Sequence, residues 1–409
     1  MNYLKMIDPS IFEFPLSLIL ALVPVLAIIF LRQITSAGWL RSRGFSVILI
    51  SVVSVFLAVE GTTGCGIYHH WTFIAVILIT LFPLGLISYS DLAGKSFHSL
   101  MGHLGLFLVL LGGLFGAADC TDVQLKVFSD GQEEHMAYDV RGGIVQLPFS
   151  ISLSDFQIDR YEDGISPKQY TSCLSVDGKQ LKTAVNHPCR YKGYRIYQAG
   201  YDAEEGSFCV LKIVRDPWLP VLALGALLLA ASAFLNLKET WKSWKIPAAA
   251  LALAIVFTLI SVARINFGTL VPALRSLWFV PHLIIYMLAY SVMALSVIAG
   301  IASLISGKVP EHLSGKLFST ASSLLLLGML CGAVWAKQAW GNYWTWDAKE
   351  CWAAVTWLLT LAGTHTSRKG LAKLFTLLAF LAIQMTWYGV NYIPSAAASL
   401  HTYNQKTSI

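Results

Sequence analysis

The chain has 409 residues, 56% hydrophobic and only 13% charged, with a mean hydropathy of +0.62. Soluble domains carry about 25% charged residues, so this composition excludes an ordinary soluble protein and points to a membrane. The formal net charge of +6 is explained by the loop bias described below and gives no reason to invoke nucleic acid.

The start, Met1-Asn-Tyr-Leu-Lys-Met-Ile-Asp-Pro9, lacks a cleavable signal pattern, so the first apolar run is expected to remain as an anchor. Runs of about 20 apolar residues cross about 30 Å of hydrocarbon, and four stand at 14–31, 46–61, 71–88 and 98–117. A hydrophilic stretch at 118–216 follows and reads as an outer β domain. Gly142–Leu153 alternates, Tyr191–Gln198 carries strand-forming aromatics, and turns are signalled at Asp163-Gly164, Asp177-Gly178 and His187-Pro188. Six further runs stand at 218–235, 246–263, 279–303, 317–336, 351–366 and 371–391. Between the first two, Lys238–Lys245 reads as an inner loop anchored by interfacial tryptophans.

The expected fold is therefore an all-α polytopic membrane protein of about ten transmembrane helices with one inserted extracytoplasmic β-rich domain. It divides into units at 1–117, 118–216 and 217–409. If the first helix runs from outside to inside, twelve Lys and Arg fall in inner loops, among them Arg32, Arg41, Arg43, Lys95 and Arg368, against six at outer ends. That bias puts both termini outside. Cys65, Cys120, Cys173, Cys189 and Cys209 then also face outward, enough for two disulfides with one thiol left over, and their spacing suggests no metal site.

Ten histidines are present, and depth separates them. His103 lies within the fourth run and His365 near the end of the ninth, both toward the inner side, where an ionisable group marks a functional site by default. His282 opens the seventh run after Arg275-Ser-Leu-Trp-Phe-Val-Pro281, and His401 follows the tenth in Ala398-Ser-Leu-His-Thr-Tyr403. His69, His70, His98, His135, His187 and His312 read as solvated or structural.

Between the eighth and ninth runs stands Trp340-Gly-Asn-Tyr-Trp344-Thr-Trp346-Asp347-Ala-Lys-Glu350-Cys-Trp352. Interfacial belts scatter one or two aromatics per helix end and need no acids, whereas this segment can lie against a large flat ligand. Trp340 and Trp344 would share a face if the stretch were helical. Asp347 and Glu350 can cap the following helix or orient a ligand. Two outer imidazoles beside aromatic rings suit a planar metallo-cofactor such as haem, whose iron takes axial histidines and whose ring packs on aromatics.

Trp-Gly-x-x-Trp-x-Trp-Asp-x-Lys-Glu at 340–350 resembles the tryptophan-rich WWD signature of haem-handling proteins. With histidines before and after it, residues 218–409 are similar to the CcsA (ResC) subunit of the System II cytochrome c synthase. The family usually has Pro after the Asp, where this chain has Ala348. Val185–Gln198, and His103 ahead of Leu-Gly-Leu-Phe, resemble the partner subunit CcsB (ResB), so the whole looks like a compact CcsB/CcsA fusion. The resemblance implies that His282 and His401 are outer axial ligands of haem b, and that His103 and His365 are a transmembrane pair. It makes Trp340, Trp344, Trp346 and Asp347 the haem platform, and names no certain acid–base catalyst. It further implies a lyase of the bacterial inner membrane that joins haem by thioether bonds to the Cys-x-x-Cys-His of apocytochrome c, with a thioredoxin-like thiol reductant as a further partner. Two other functions fit four histidines: a haem exporter without ligase activity, and a bis-histidine electron-transfer cytochrome.

Overall fold

The computed structural model describes residues 12–33, 35–202, 206–242, 252, 255–256, 258–260, 270–306, 309–399 and 401. Four helices come first, α1 (Leu16–Leu31), α2 (Arg43–Thr63), α3 (Trp71–Ala93) and α4 (Phe97–Gly116). An eight-stranded sheet follows, β1 (Thr121–Phe128), β2 (Glu134–Asp139), β3 (Ile144–Arg160), β4 (Pro167–Val176), β5 (Lys179–Ala184), β6 (Cys189–Tyr191), β7 (Tyr194–Tyr201) and β8 (Phe208–Arg215). The chain returns to the membrane through α5 (Leu219–Lys242), α6 (Phe279–Ser306), α7 (Glu311–Trp340), α8 (Ala348–His365) and α9 (Lys369–Trp387).

Among the described residues seven helices are long and apolar enough to cross a membrane: α2 to α7 and α9. The expectation of ten spans is thus met only in part. Helix α1 has 16 residues, short of a full crossing. The run at 246–263 lies mostly outside the described residues. Helix α8 has 18 residues but lower hydropathy, because it carries Lys349 and Glu350 at its head and His365 at its foot; its hydroxyls face protein, the Thr360 hydroxyl donating to Ser322 Oγ (2.7 Å) and Thr356 meeting Thr386 (3.3 Å). A helix enclosed by neighbours need not be apolar all round. By contrast Leu227 and Phe234 of α5 and Ile298, Leu304 and Ile305 of α6 are exposed, as hydrocarbon contact requires.

Helices α4 and α5 cross at glycines. A Cβ on Gly105 would stand 2.9 Å from the Gly225 carbonyl oxygen, and one on Gly225 would stand 2.8 Å from that of Gly105. Small residues at such a crossing let backbones approach closely in lipid. Helices α6 and α7 form the main buried core, with Met287, Met293, Ala321 and Leu325 almost fully enclosed.

The sheet is antiparallel throughout, in the order β5-β4-β3-β2-β1-β8-β7-β6. Period-two alternation turns Val123, Leu125 and Val127 of β1 and Leu147, Phe149, Ile151 and Leu153 of β3 inward. Asp177 and Gly178 both take positive φ in the β4–β5 hairpin, the conformation a two-residue turn favours. The sheet curls so that its ends meet: the Thr183 hydroxyl donates to the Ile196 carbonyl (2.8 Å) and that of Ser172 to the Gln198 side chain (2.6 Å).

Hydrogen bonds fix this domain to the helices. Asp119, just before β1, accepts from Phe14 N–H (2.6 Å), the Ser17 hydroxyl (2.7 Å) and Trp218 Nε1–H (2.6 Å). Burial alone would raise its carboxyl pKa, but these three donors outweigh it and hold it below the ordinary range. Tyr161 donates to the Leu270 carbonyl (2.9 Å), Asn186 to that of Pro272 (2.7 Å), and Arg275 donates back to Lys168 (3.0 Å).

All seven cysteines are free thiols, so the two disulfides the outer cysteines allowed are not formed. Cys173, Cys189 and Cys209 lie on three different strands. Burial pushes the Cys120 and Cys189 thiols up to about 11, which leaves them poor nucleophiles.

The α4–α5 crossing gives a direct test. Gly225→Leu forces the two backbones apart and should cost about 1–3 kcal/mol, measured by unfolding in mixed micelles. Gly113→Leu on the same helix pair, where a Cβ meets nothing within 4 Å, should be near neutral.

Candidate functional site

Helix α7 stops at Trp340 because Gly341 takes φ +88°, a left-handed cap. Residues 341–347 are therefore not helical, and Trp340 and Trp344 do not share a helical face. Trp346 holds φ +62°, a conformation costing about 1–2 kcal/mol for an L residue. Its indole is stacked on Tyr68 (4.7 Å, 4° between planes), with Phe73 (5.7 Å) and Trp344 (6.2 Å) edge-on. Tyr68 comes from the α2–α3 loop, beyond a buried Glu60 whose carboxylate accepts from Ile67 N–H (2.8 Å).

Asp347 ends the loop as the N-cap of α8, accepting from Glu350 N–H (2.8 Å). Glu350 reaches back to Thr345, accepting from its N–H (2.6 Å) and its hydroxyl (3.1 Å). Both acids are thus caps, and Asp347 is more: its second oxygen accepts from Ser399 Oγ (2.7 Å) and from His401 Nδ1 (2.6 Å). Burial pushes the Asp347 carboxyl up, yet the hydrogen bonds from His401, Glu350 N–H and Ser399 hold it below the usual carboxylate range. One donor atom each from Asp347, Glu350 and His401 lies within 4.8 Å of the other two. His401 Nδ1 and both Asp347 oxygens are already bonded, so the trio reads as a hydrogen-bonded knot that fixes His401.

Trp335 lies against both His282 and His401. Its ring centroid is 5.7 Å from His282 and 5.6 Å from His401, and Trp340 is edge-on to it (5.1 Å) and to His401 (5.3 Å). Trp335 is 1% exposed, and its Nε1–H donates to the Ala273 carbonyl (2.9 Å). His282, in the first turn of α6, lies over Gly332 of α7, where a Cβ would come within 2.7 Å of the imidazole. Its Nδ1 bonds the Gly328 carbonyl (2.8 Å).

At the other end of the bundle His103 and His365 meet, their rings 6.1 Å apart. His103 Nδ1 is 3.1 Å from an Asp91 oxygen that also accepts from Ser99 (2.6 Å), and His365 Nδ1 bonds the Leu361 carbonyl (2.8 Å). Carbonyl and carboxylate oxygens only accept, so in all four neutral rings Nδ1 carries the proton and Nε2 keeps its lone pair. This is the arrangement of metal-ligating histidines, whose other nitrogen is anchored to a carboxylate or carbonyl.

The eight residues singled out in the sequence therefore fall into three groups. Trp340, Asp347, His282 and His401 gather around Trp335. His103 and His365 form a separate pair at the other end of the bundle. Trp344 and Trp346 turn away toward Tyr68 of the α2–α3 loop and Phe73 of α3, in the first third of the chain. Sequence reasoning missed Trp335, hidden in the eighth apolar run, and Asp91, which sits beyond the third run. Gly328-x-x-x-Gly332 was the available signal for close packing beneath His282.

Residues 218–397 match the family model described as cytochrome C assembly protein, and residues 95–217 match the ResB-like family. The chain is 33% identical over 153 residues to the cytochrome c biogenesis protein CcsA of Chlamydomonas reinhardtii, covering 33% of this chain and 42% of that one. With the CcsA of Atropa belladonna identity is 28% over 188 residues, 34% of this chain and 59% of the relative. The chain thus spans about half the length of these curated relatives. Helices α1 to α3, which supply Tyr68, lie outside both family matches.

The Tyr68–Trp346 stack should couple the two ends of the chain energetically. A double-mutant cycle with Tyr68→Leu and Trp346→Leu, read by unfolding in mixed micelles, is expected to give about 0.5–1.5 kcal/mol of interaction. Strict additivity would mean the rings merely adjoin.

Proposed function

We propose that this chain, which joins a ResB-like unit to a cytochrome c assembly unit in the fused CcsB/CcsA layout of System II, matures cytochrome c by delivering haem to the outer face of a membrane and attaching it covalently. The observation that carries the reading is the set of four histidines, two at each end of the bundle, each anchored through Nδ1 with Nε2 left free to bind iron. In this reading His103 and His365 receive haem from the inner side, and both termini lie outside. His282 and His401 then hold it beside Trp335 and Trp340, with Asp347 fixing the His401 ring.

Chemically the task is modest. Each thiol of a reduced Cys-x-x-Cys-His segment adds across one haem vinyl group: a carbon–sulfur bond forms, and the thiol proton ends on the neighbouring carbon. No net oxidant or reductant is consumed, so the protein has to position rather than activate, and proximity supplies much of the rate. The vinyl chemistry belongs to haem, while binding, orientation and iron ligation belong to the chain. The cytochrome's own histidine then replaces an outer ligand, which aids release.

Co-expression with an apocytochrome c in a host lacking its own maturation system, followed by haem staining of denatured gels, tests the proposal. Covalent product is expected. Its absence with stable chain would leave an exporter or an electron-transfer cytochrome. His282→Ala and His401→Ala should each abolish product and recover it with added imidazole; full activity in both would remove them as ligands.

The anchoring acids are separable from folding. Asn is as good an N-cap as Asp, so Asp347→Asn should leave stability within about 1 kcal/mol. Losing the carboxylate partner of a ligating histidine costs about 10–100-fold in metal affinity, and retained haem in the purified variant should fall accordingly. Asp91→Asn should do the same for the inner pair.

A further inference from the structure

A cleft of about 310 Å³ opens where β6 (Cys189–Tyr191) and β7 (Tyr194–Tyr201) meet the outer ends of α5 and α7. Four cations line it, Arg190, Lys192, Arg195 and Lys337, with one acid, Asp216. Arg190 and Arg195 are directly paired across the β6–β7 hairpin, an arrangement of like charges that destabilises a sheet unless something neutralises it. Lys192 is matched by Asp177 (2.8 Å). Among the described residues Arg190, Arg195 and Lys337 make no ion pair.

Lys337 is the telling member. It is only 6% exposed, and its ammonium has an aromatic face for company, the Tyr343 ring at 4.8 Å. Buried cations are ordinarily paired. Two more donors nearby also lack an acceptor. The Tyr197 hydroxyl is buried beside the Arg195 guanidinium with no acceptor for its own proton, its ring lying against Gly341, and the Trp340 indole N–H is likewise unsatisfied. Donors without acceptors thus converge around the turn that follows α7.

We propose that this cleft is an anion site for the propionate carboxylates of haem; the assignment rests on the haem-handling reading above. Trp340 touches His401 at 5.3 Å. Lys337 is its neighbour three residues back on the same helix, about 5–6 Å between Cβ atoms. A macrocycle lying against Trp340 therefore presents an edge toward Lys337 and the two arginines. Carboxylates offer only acceptors, which complements this set of donors, and arginine forks suit them in particular. The phosphate of a lipid headgroup has the same chemistry, so the test must tell the two apart.

The full chain, in detergent free of phospholipid, is titrated with haem and with haem dimethyl ester, following the Soret band. Haem is expected to bind at least about tenfold tighter than the ester. Lys337→Met combined with Arg195→Gln should bring the two ligands within about twofold while the histidine-ligated spectrum persists. Arg190→Gln, on the exposed rim, should give an intermediate ratio and so keeps the test decisive if the double variant fails to fold. Equal affinity of the wild-type chain for haem and ester overturns the proposal. So does an unchanged ratio in variants that instead lose co-purified phosphatidylglycerol, which would assign the cleft to lipid. If the wild-type chain binds neither compound, the haem reading itself falls.

Discussion

Everything at the candidate site depends on how four imidazoles are held. A free histidine ring has two tautomers and turns about its side-chain bonds; here a carboxylate or a backbone carbonyl accepts a hydrogen bond from Nδ1–H in each case and removes that choice. Each pair combines one ring held by an acid, His103 by Asp91 or His401 by Asp347, with one held by a carbonyl, His365 or His282. Each pair is thus fixed once by a charge and once by a backbone dipole.

The supports for that geometry are spread through the chain. Asp347 serves one function with each oxygen, closing the first turn of α8 and fixing His401. Trp335 is secured through Ala273, in a short turn that the sheet also grips through Asn186. Trp346 is kept in its left-handed conformation beneath Tyr68 from the α2–α3 loop. Outer sheet, early helices and late helices therefore meet at one level, so a disturbance in any of them reaches the same few rings.

Much of this was legible in the sequence because membranes impose simple rules. Apolar length marked the spans, and alternation with paired turn signals marked the strands. Helix α8 departs from the ten-span reading because Lys349, Glu350 and His365 stand at its two ends, so hydropathy undervalues it. The aromatic segment was read as a single platform because spacing along a chain cannot reveal where a helix stops. Gly341 breaks it and sends Trp344 and Trp346 to a different neighbour from Trp340. Trp335 and Asp91 were hidden for opposite reasons: one looked like ordinary apolar filling, the other like an ordinary loop acid. Only the folded chain sets them beside His282, His401 and His103.

Helix α8 also acts as a ruler. Asp347 at its head belongs to one imidazole pair and His365 at its foot to the other. Eighteen residues at 1.5 Å each separate them by about 27 Å. Metal–nitrogen bonds are about 2 Å, so no single iron can be shared between the two ends. Under the proposed function a cargo would therefore have to leave one pair of rings completely before the other grasps it, with an unligated interval between. A single chain would also have room to load one pair while the other is still engaged.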